Sequence, residues 1–218
     1  MKVLIACEES QTVCKAFREL GHEAYSCDLQ KCSGGHPEWH IRGDARQLLG
    51  DDWDLIIAHP PCTYLTAAGA ARMFRDVKQE FPPYGEFQMV NVSRMLKGME
   101  AKDFFMEFIH APCKHVAIEN PVPMKLFNLP PPTQMIQPHY FGDPYSKKTC
   151  LWLKGLPPLM PTELLEEYHP LINGGGGRLS RETYEGRRFA SGSKARSKTF
   201  PGIAKAMAEQ WSRFLETR

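Results

Sequence analysis

The chain has 218 residues, of which 42% are hydrophobic and 24% are charged. This composition suits one domain with its own hydrophobic core and excludes a mostly disordered chain. The longest apolar runs are about five to eight residues, far short of the roughly 20 that a membrane span needs. Strand-like residues begin at Lys2, which leaves no room for a signal peptide, and seven scattered cysteines fit a reducing compartment. We therefore expect a cytoplasmic protein that does not contact a membrane.

The net charge of +2 is unevenly distributed along the chain. Residues 171–218 contain ten Lys and Arg against four Asp and Glu, so the last fifth of the chain is the basic part. A cationic segment of this kind suits a polyanion such as nucleic acid, although solubility alone also explains it.

Strand-like and helix-like segments alternate through the first 60 residues. Residues 2–7 predict a strand, residues 11–20 a helix with Ser10 as its N-cap, and residues 22–29 a second strand. A short helix after Asp44 and a buried strand over residues 54–58 follow. This rhythm predicts an α/β fold with a doubly wound parallel sheet.

The remainder of the chain is less regular. We expect a mobile segment at residues 66–85, a long helix at 86–110, a buried strand at 114–121, an extended loop at 122–145 and a strand at 146–155. An amphipathic helix is predicted at 201–215. These elements predict a core at residues 1–162, a basic Gly/Ser-rich segment facing the substrate at 163–200, and a terminal helix, 201–218, that packs back on the core.

Cys62 lies directly after the strand at 54–58, behind two rigid prolines, and Glu119 ends the strand at 114–121. Because ligands of open α/β sheets bind at the carboxyl ends of the strands, a thiol and a carboxyl placed there are candidates for chemistry. The alternative is a buried, inert cysteine beside an ordinary turn.

Two observations bear on what the first strands bind. The turn after the first strand has no glycines, so a phosphate cradle is absent, and a ligand there has no pyrophosphate or is bound by side chains. Asp28, at the end of the second strand, is placed to bind a ribose hydroxyl pair. Cys27, Cys32, His36 and His40 have a spacing that suits a tetrahedral zinc site, although Cys27 falls within a predicted strand.

Taken in order, these segments resemble the motifs of the DNA cytosine-5 methyltransferases. Pro60-Pro61-Cys62 is similar to their nucleophile motif and Glu119-Asn120 to their Glu-Asn-Val motif. Lys147 and Lys148 fall where the family has a Gln-x-Arg-x-Arg strand, and residues 202–207 are similar to its last cofactor motif. The resemblance covers nearly the whole chain. It implies a Rossmann-like class I S-adenosylmethionine-dependent methyltransferase fold, with a mostly parallel sheet and helices on both faces.

The resemblance also implies an activity, which is transfer of a methyl group from S-adenosyl-L-methionine to carbon 5 of cytosine in DNA. In such an enzyme the Cys62 thiolate adds to carbon 6, while Glu119 binds N3 and the 4-amino group and Lys147 or Lys148 faces O2 or a phosphate. Glu119 is expected to be protonated, or to share a proton, when the base is bound, and burial favours this by raising its pKa. The thiol needs activation by the lysines, by His59 or by base binding, and for His59 a structural role is the simpler expectation. The implied cofactor contacts, with no metal, are Cys7, Glu8, Ser10, Asp28, Leu29, Asp44, Ala45, His59, Pro60 and Ala204.

The chain departs from the family at three places. The glycine-rich first motif is replaced by Cys7-Glu8-Glu9-Ser10, and lysines replace arginines, which loses bidentate geometry. The recognition region is reduced to about 40 residues, as in methyltransferase-like proteins of phages and mobile elements, so we expect DNA that is single-stranded or read with little sequence specificity. Two rival hypotheses are an enzyme acting at carbon 5 of a free pyrimidine nucleotide and a non-catalytic nucleic-acid-binding protein on a methyltransferase scaffold.

Overall fold

A computed structural model of the protein describes residues 1–83, 85–170 and 198–217, without the side chains of 75–81, 86–88 and 169–170. Its strands are β1 Lys2–Ala6, β2 Glu23–Asp28, β3 His40–Arg42, β4 Leu55–Ala58, β5 Phe74–Phe81, β6 Gly85–Val90, β7 Val116–Pro121, β8 Gln134–Ile136, β9 Tyr145–Ser146, β10 Thr149–Lys154 and β11 His169–Pro170. Its α-helices are α1 Thr12–Glu19, α2 Val92–Ile109 and α3 Pro201–Glu216. Short 3-10 helices cover Pro37–Trp39, Ala45–Leu48, Ala67–Met73, Lys125–Phe127 and Pro138–Tyr140.

Seven strands form the main sheet, in the order β3-β2-β1-β4-β7-β10-β8. The five from β3 to β7 are mutually parallel, whereas β10 runs antiparallel to both of its neighbours. The strand order reverses direction after β1, since β2 and β3 lie on one side of it and β4 and β7 on the other. In such sheets the crevice at the reversal point binds ligands.

The central strands are apolar because both faces of the sheet are covered. Alternate residues of β1, β4 and β7 join one of two core clusters, as the two-residue period of a strand requires. On one face they pack with Phe105 and Phe108 of α2, and on the other with Phe17 of α1 and with Met207 and Trp211 of α3. The prediction of a mostly parallel, Rossmann-like sheet with helices on both faces is confirmed.

The turn from β1 to α1 differs from the prediction. The N-cap of α1 is Gln11 rather than Ser10, and neither side chain caps the helix. Instead the Glu8 carboxylate accepts hydrogen bonds from the backbone N–H groups of Val13 (2.7 Å) and Cys14 (3.2 Å). A carboxylate is favourable at this end of a helix because it satisfies N–H groups that have no partner within the helix. The predicted Ser10 cap was therefore wrong.

Residues 66–83 and 85–90 contain secondary structure that the sequence analysis did not predict. A 3-10 helix leads into an antiparallel hairpin of β5 and β6. The long helix begins at Val92, because Asn91 is its N-cap: the Asn91 side chain accepts a hydrogen bond from the Arg94 backbone N–H (3.1 Å). The preceding strand, β6, ends at Val90. The helical spacing that we extended back to Glu86 belongs in part to β6.

Residues 122–145 also contain regular secondary structure, although their many prolines predicted an extended loop. β8 pairs with β10 at the edge of the main sheet, and Lys125–Phe127 and Pro138–Tyr140 are 3-10 helices. Of the predicted basic segment at 163–200, residues 171–197 lie outside the described part of the chain. Within that part, no helix has the length and apolar character that crossing a bilayer requires.

Gly202 provides a test of how α3 docks. Its N–H donates to Asp143 Oδ2 (2.9 Å), and a Cβ at this position would stand far inside contact distance of the Phe141 carbonyl oxygen. We expect Gly202→Ala to lower the free energy of unfolding by about 1–3 kcal/mol, as overpacking does. Urea denaturation measures the change. Gly50→Ala, which meets no atom within 4 Å, is the matched control and should keep wild-type stability or gain slightly.

Candidate active site

The sheet brings the predicted nucleophile and acid to one edge. β4 and β7 are parallel neighbours, with Ala58, the last residue of β4, opposite Ile118. His59 and Glu119 therefore follow side by side, where β4 has ended and β7 still pairs with β10. Glu119 is 7% exposed and Cys62 is half-buried, and the charge of Glu119 acts on the Cys62 thiol. The two residues that the sequence singled out therefore share one site.

Two hydrogen bonds hold the Cys62 loop in place. The Asn120 side-chain amide donates to the Pro60 carbonyl oxygen (2.9 Å), which ties the end of β7 to the double proline. On the other side of the nucleophile, the Arg94 guanidinium donates to the Thr63 carbonyl oxygen (2.8 Å). Fixing both flanks restricts where the Cys62 thiol can lie, and such restriction is what a nucleophile needs to approach a ring carbon.

His59 is the direct partner of Glu119. Its Nδ1 lies 3.0 Å from Glu119 Oε2, and its backbone N–H donates to the Ala6 carbonyl oxygen (2.9 Å). Burial alone raises the pKa of Glu119, but the His59 hydrogen bond and the positive charge of Lys147 outweigh it, so the pKa lies below its usual value. In the free protein Glu119 is therefore a carboxylate, and its expected protonation in the base-bound state stays a prediction.

Burial and the charge of Glu119 raise the pKa of the Cys62 thiol, while the positive charge of Lys147 lowers it in part. Cys62 is thus predominantly a thiol at neutral pH and needs to lose a proton before it reacts. Lys147 is buried (8% exposed), with its Nζ 5.8 Å from the Phe200 ring centroid, whereas Lys148 is exposed. Of the two predicted lysines, only Lys147 therefore acts on the thiol.

This difference predicts unequal effects of two neighbouring substitutions. We expect Lys147→Met to slow alkylation of Cys62 by iodoacetamide at pH 8 by about two- to tenfold, because losing the positive charge raises the pKa of the thiol further and leaves less thiolate. Mass spectrometry of the Cys62 peptide measures the rate. Lys148→Met is the control and should alkylate at the wild-type rate; an equal effect of both substitutions would contradict the assignment.

A cleft of about 450 Å³ opens at this edge and reaches Cys62. It is lined by Cys7, Glu8, Glu9, Ser10, Asp28, Gln30, His59, Pro61, Cys62, Thr63, Lys198 and Thr199. The volume lies in the range of small-molecule sites. Because Glu8 already occupies the N-terminus of α1, that helix end is closed to a phosphate, while Asp28 ends β2 where a ribose would bind. The residues present thus fit a nucleoside without phosphates, as in S-adenosyl-L-methionine.

Five of the ten predicted cofactor contacts line the cleft, and five do not. Leu29 is 71% exposed and Pro60 is buried behind the loop. Ala45 and Ala204 are buried, the latter in the core with α1. Asp44 is held by Arg46, whose guanidinium donates to both of its carboxylate oxygens. Asp44 nevertheless lies near enough to act on Cys7, whose pKa is raised by burial and then by the charges around it.

Three residues just before α3 belong to the site, and the sequence reasoning missed them. Lys198 and Thr199 line the cleft, and Phe200 lies beside Lys147. The Thr199 hydroxyl is 3.4 Å from His59 Nδ1. Pro201 could have indicated these residues, because a proline in the first turn marks where α3 begins. The residues just before it, Lys198 and Thr199, line the cleft at the active edge of the sheet.

The alternative zinc site does not form in the described structure. Cys27 donates to the Gly43 carbonyl oxygen (3.5 Å), and burial raises the pKa of its thiol to about 11. His40 is bonded through both ring nitrogens, to Ser26 and Gln30, and His36 stacks on Trp39. Among the residues described, no group of three or more His, Cys, Asp or Glu side chains is placed to hold a metal ion.

The chain was compared with known families, curated protein sequences and solved structures, and only solved structures gave matches. No known family and no curated protein sequence matches the chain. Among solved structures, the chain is similar to a candidate DNA modification methyltransferase encoded within a prophage (E. coli), with 14% identity and a TM-score of 0.42 over 75% of this chain and 52% of the other. It is also similar to a triple mutant of Spodoptera frugiperda DNMT2, with 15% identity and a TM-score of 0.35 over 79% and 55%. The chain thus spans about half the length of each, and likeness at this level does not assign an activity.

Proposed function

We propose that the protein transfers a methyl group from S-adenosyl-L-methionine to carbon 5 of cytosine in DNA through a covalent bond to Cys62. The observation that supports this most is that Cys62 lines a cleft at the carboxyl edge of the sheet and that the buried charges of Glu119 and Lys147 both act on its thiol. A thiol beside a buried carboxyl group suits addition to a ring whose nitrogen the carboxyl binds.

The residues divide the reaction between them. The sulfur of Cys62 bonds to carbon 6, while the electrons of the 5,6 double bond shift into the ring and N3 gains a proton from Glu119. Because Glu119 is a carboxylate in the free protein, it first takes up one proton, and the proton that the Cys62 thiol loses supplies it. Carbon 5 then acts as a nucleophile toward the methyl group, which S-adenosyl-L-methionine supplies as an electrophile. Loss of the carbon 5 proton to water expels the Cys62 sulfur, and the N3 proton returns to Glu119. Lys147 stabilises negative charge near the sulfur and the ring.

The cofactor contacts in this proposal are the residues at the ends of β1 and β2. Asp28 binds the ribose hydroxyls, and Cys7, Glu8 and Ser10 form the wall of the cleft beside them. Cys7 and Gln11 have positive backbone φ angles of 60° and 58°, so the turn follows a left-handed path in which glycine is normally favoured. The side chains of Cys7, Glu8 and Ser10 thus line the cleft in the turn where the family has glycines.

The first rival keeps the Cys62 adduct and changes the substrate to a free pyrimidine nucleotide. A DNA substrate is favoured by Lys198, which lines the cleft, and by the ten Lys and Arg of residues 171–218. The second rival, a non-catalytic nucleic-acid-binding protein, gives no reason for a buried carboxylate and a buried lysine whose charges act on a thiol in the cleft. Both rivals make distinct predictions in the experiment below.

The deciding experiment traps the adduct. The protein is incubated with S-adenosyl-L-methionine and either an oligonucleotide or a mononucleotide containing 5-fluorocytosine, whose fluorine prevents the elimination that frees the enzyme. A cofactor-dependent, denaturation-resistant mass increase with the oligonucleotide is expected. An adduct with the mononucleotide alone would favour the first rival. No adduct and no cofactor binding in calorimetry would favour the second.

A further inference from the structure

His59 is buried in the site and contacts Glu119, although the proposed chemistry gives it no role. Its side chain is 9% exposed and that of Glu119 is 8% exposed, and the two form a contact of 3.0 Å. Three other groups interact with His59 or with its partner. The Glu8 carboxyl interacts with His59 electrostatically, and the Thr199 hydroxyl lies 3.4 Å from Nδ1. Lys147 lowers the pKa of the same Glu119 that His59 contacts. His59 thus lies between two buried carboxyl groups beside the nucleophile.

The other ring nitrogen identifies this histidine as more than a structural one. Nε2 is buried and has no hydrogen-bond partner in the described part of the chain, although His59 lines the cleft. Buried polar atoms are nearly always hydrogen-bonded, and one left without a partner in a ligand cleft indicates that its partner arrives with the ligand or the reaction. By contrast, the buried His22 is bonded through Nε2 to the Ser212 hydroxyl (2.7 Å).

The proposed reaction requires a proton to move from the Cys62 thiol to Glu119, and the His59 ring could carry it. Adduct formation removes a proton from Cys62 and adds one at N3. Glu119, which contacts N3, is a carboxylate in the free protein and has no proton to give. When the ring is neutral and its Nδ1–H donates to Glu119, Nε2 carries a lone pair that can accept a proton, and the Cys62 thiol lines the same cleft as His59.

We propose that His59 is a catalytic residue that relays the Cys62 proton to Glu119; this rests on the proposed function. The Cys62 S–H bond breaks and an Nε2–H bond forms, directly or through one water. The Nδ1–H bond breaks as the Glu119 O–H bond forms, and that proton then passes to N3 as sulfur bonds to carbon 6. One proton leaves the thiol and one arrives at the base, so no external acid or base is consumed in this step. The reverse movement restores the thiol when the sulfur leaves.

The first test uses the rate of the 5-fluorocytosine adduct at saturating cofactor. In His59→Asn, the amide can keep the hydrogen bond to Glu119 but cannot carry a proton through, so we expect adduct formation about 10²-fold slower than in wild type. His22→Asn, which also replaces a buried histidine but lies outside the cleft, should form the adduct at the wild-type rate. A wild-type rate in His59→Asn would overturn the relay.

The second test separates proton transfer from mere filling of space. In His59→Gly, added imidazole should restore much of the adduct rate, whereas pyrazole, which has the same size and is a far weaker base, should not. Rates that do not depend on which of the two is added would overturn the proposal. The folded state of this variant is checked by its unfolding transition, and if it does not fold, the asparagine variant decides. An absence of adduct in wild type itself would count against the proposed function, whereas a wild-type adduct with an unaffected His59→Asn variant would count against the relay alone.

Discussion

Replacing Cys62 by alanine should abolish both methyl transfer and the 5-fluorocytosine adduct. Carbon 5 of cytosine is too weak a nucleophile to take a methyl group directly, and the bond from Cys62 to carbon 6 is what activates it. Removing a covalent nucleophile costs at least about 10³-fold in turnover, since the remaining groups can only bind and orient the substrate. Methyl transfer to DNA is measured with a radiolabelled cofactor and the adduct by denaturing mass spectrometry.

Cys32→Ala is the matched control for this result. Like Cys62, Cys32 is a free, half-buried thiol, but it does not line the cleft. It should keep wild-type turnover and adduct formation. If Cys62→Ala retained methyl transfer while binding S-adenosyl-L-methionine normally, the covalent mechanism would have to be abandoned.

Glu119→Gln should have the second-largest effect, lowering the rate of methyl transfer by about 10²- to 10⁴-fold. Glutamine keeps the size and one hydrogen bond of glutamate, but it cannot receive a proton and pass it to N3. Glu216→Gln, at the far end of α3, changes an exposed carboxyl (61% exposed) away from the cleft and should leave the rate unchanged.

In a second measurement Glu119→Gln should raise a rate rather than lower it, namely the rate at which Cys62 is alkylated. Because burial and then the negative charge of Glu119 raise the pKa of Cys62, removing that charge should lower the thiol pKa toward its ordinary value. More thiolate is then present at pH 8, so iodoacetamide should alkylate Cys62 faster in Glu119→Gln than in wild type. Slower methyl transfer together with faster alkylation separates a loss of catalysis from a loss of folding. Alkylation at or below the wild-type rate would show that the two side chains do not interact electrostatically.

Much of the fold was predictable because local patterns were strong where both sheet faces are buried. β1, β4 and β7 are short apolar runs, and their alternation with helices required a parallel sheet whose strands end at one edge. The errors fell where a local pattern was ambiguous. The spacing of Phe87 and Val90 matched a helix, yet both belong to β6, and the Asn91 cap that separates β6 from α2 was not recognised.

The sequence by itself determined which residues end the central strands, and so placed Cys62 and Glu119 at a common edge. Only the tertiary structure decided what surrounds them. The His59–Glu119 contact joins residues 60 positions apart and the Thr199–His59 contact residues 140 positions apart. The sign of the Glu119 pKa shift depends on those contacts, because burial raises the pKa and the positive partners lower it, and the balance is set by distances of a few ångströms. Strand periodicity predicts an edge, whereas hydrogen bonds across that edge depend on how separate elements pack.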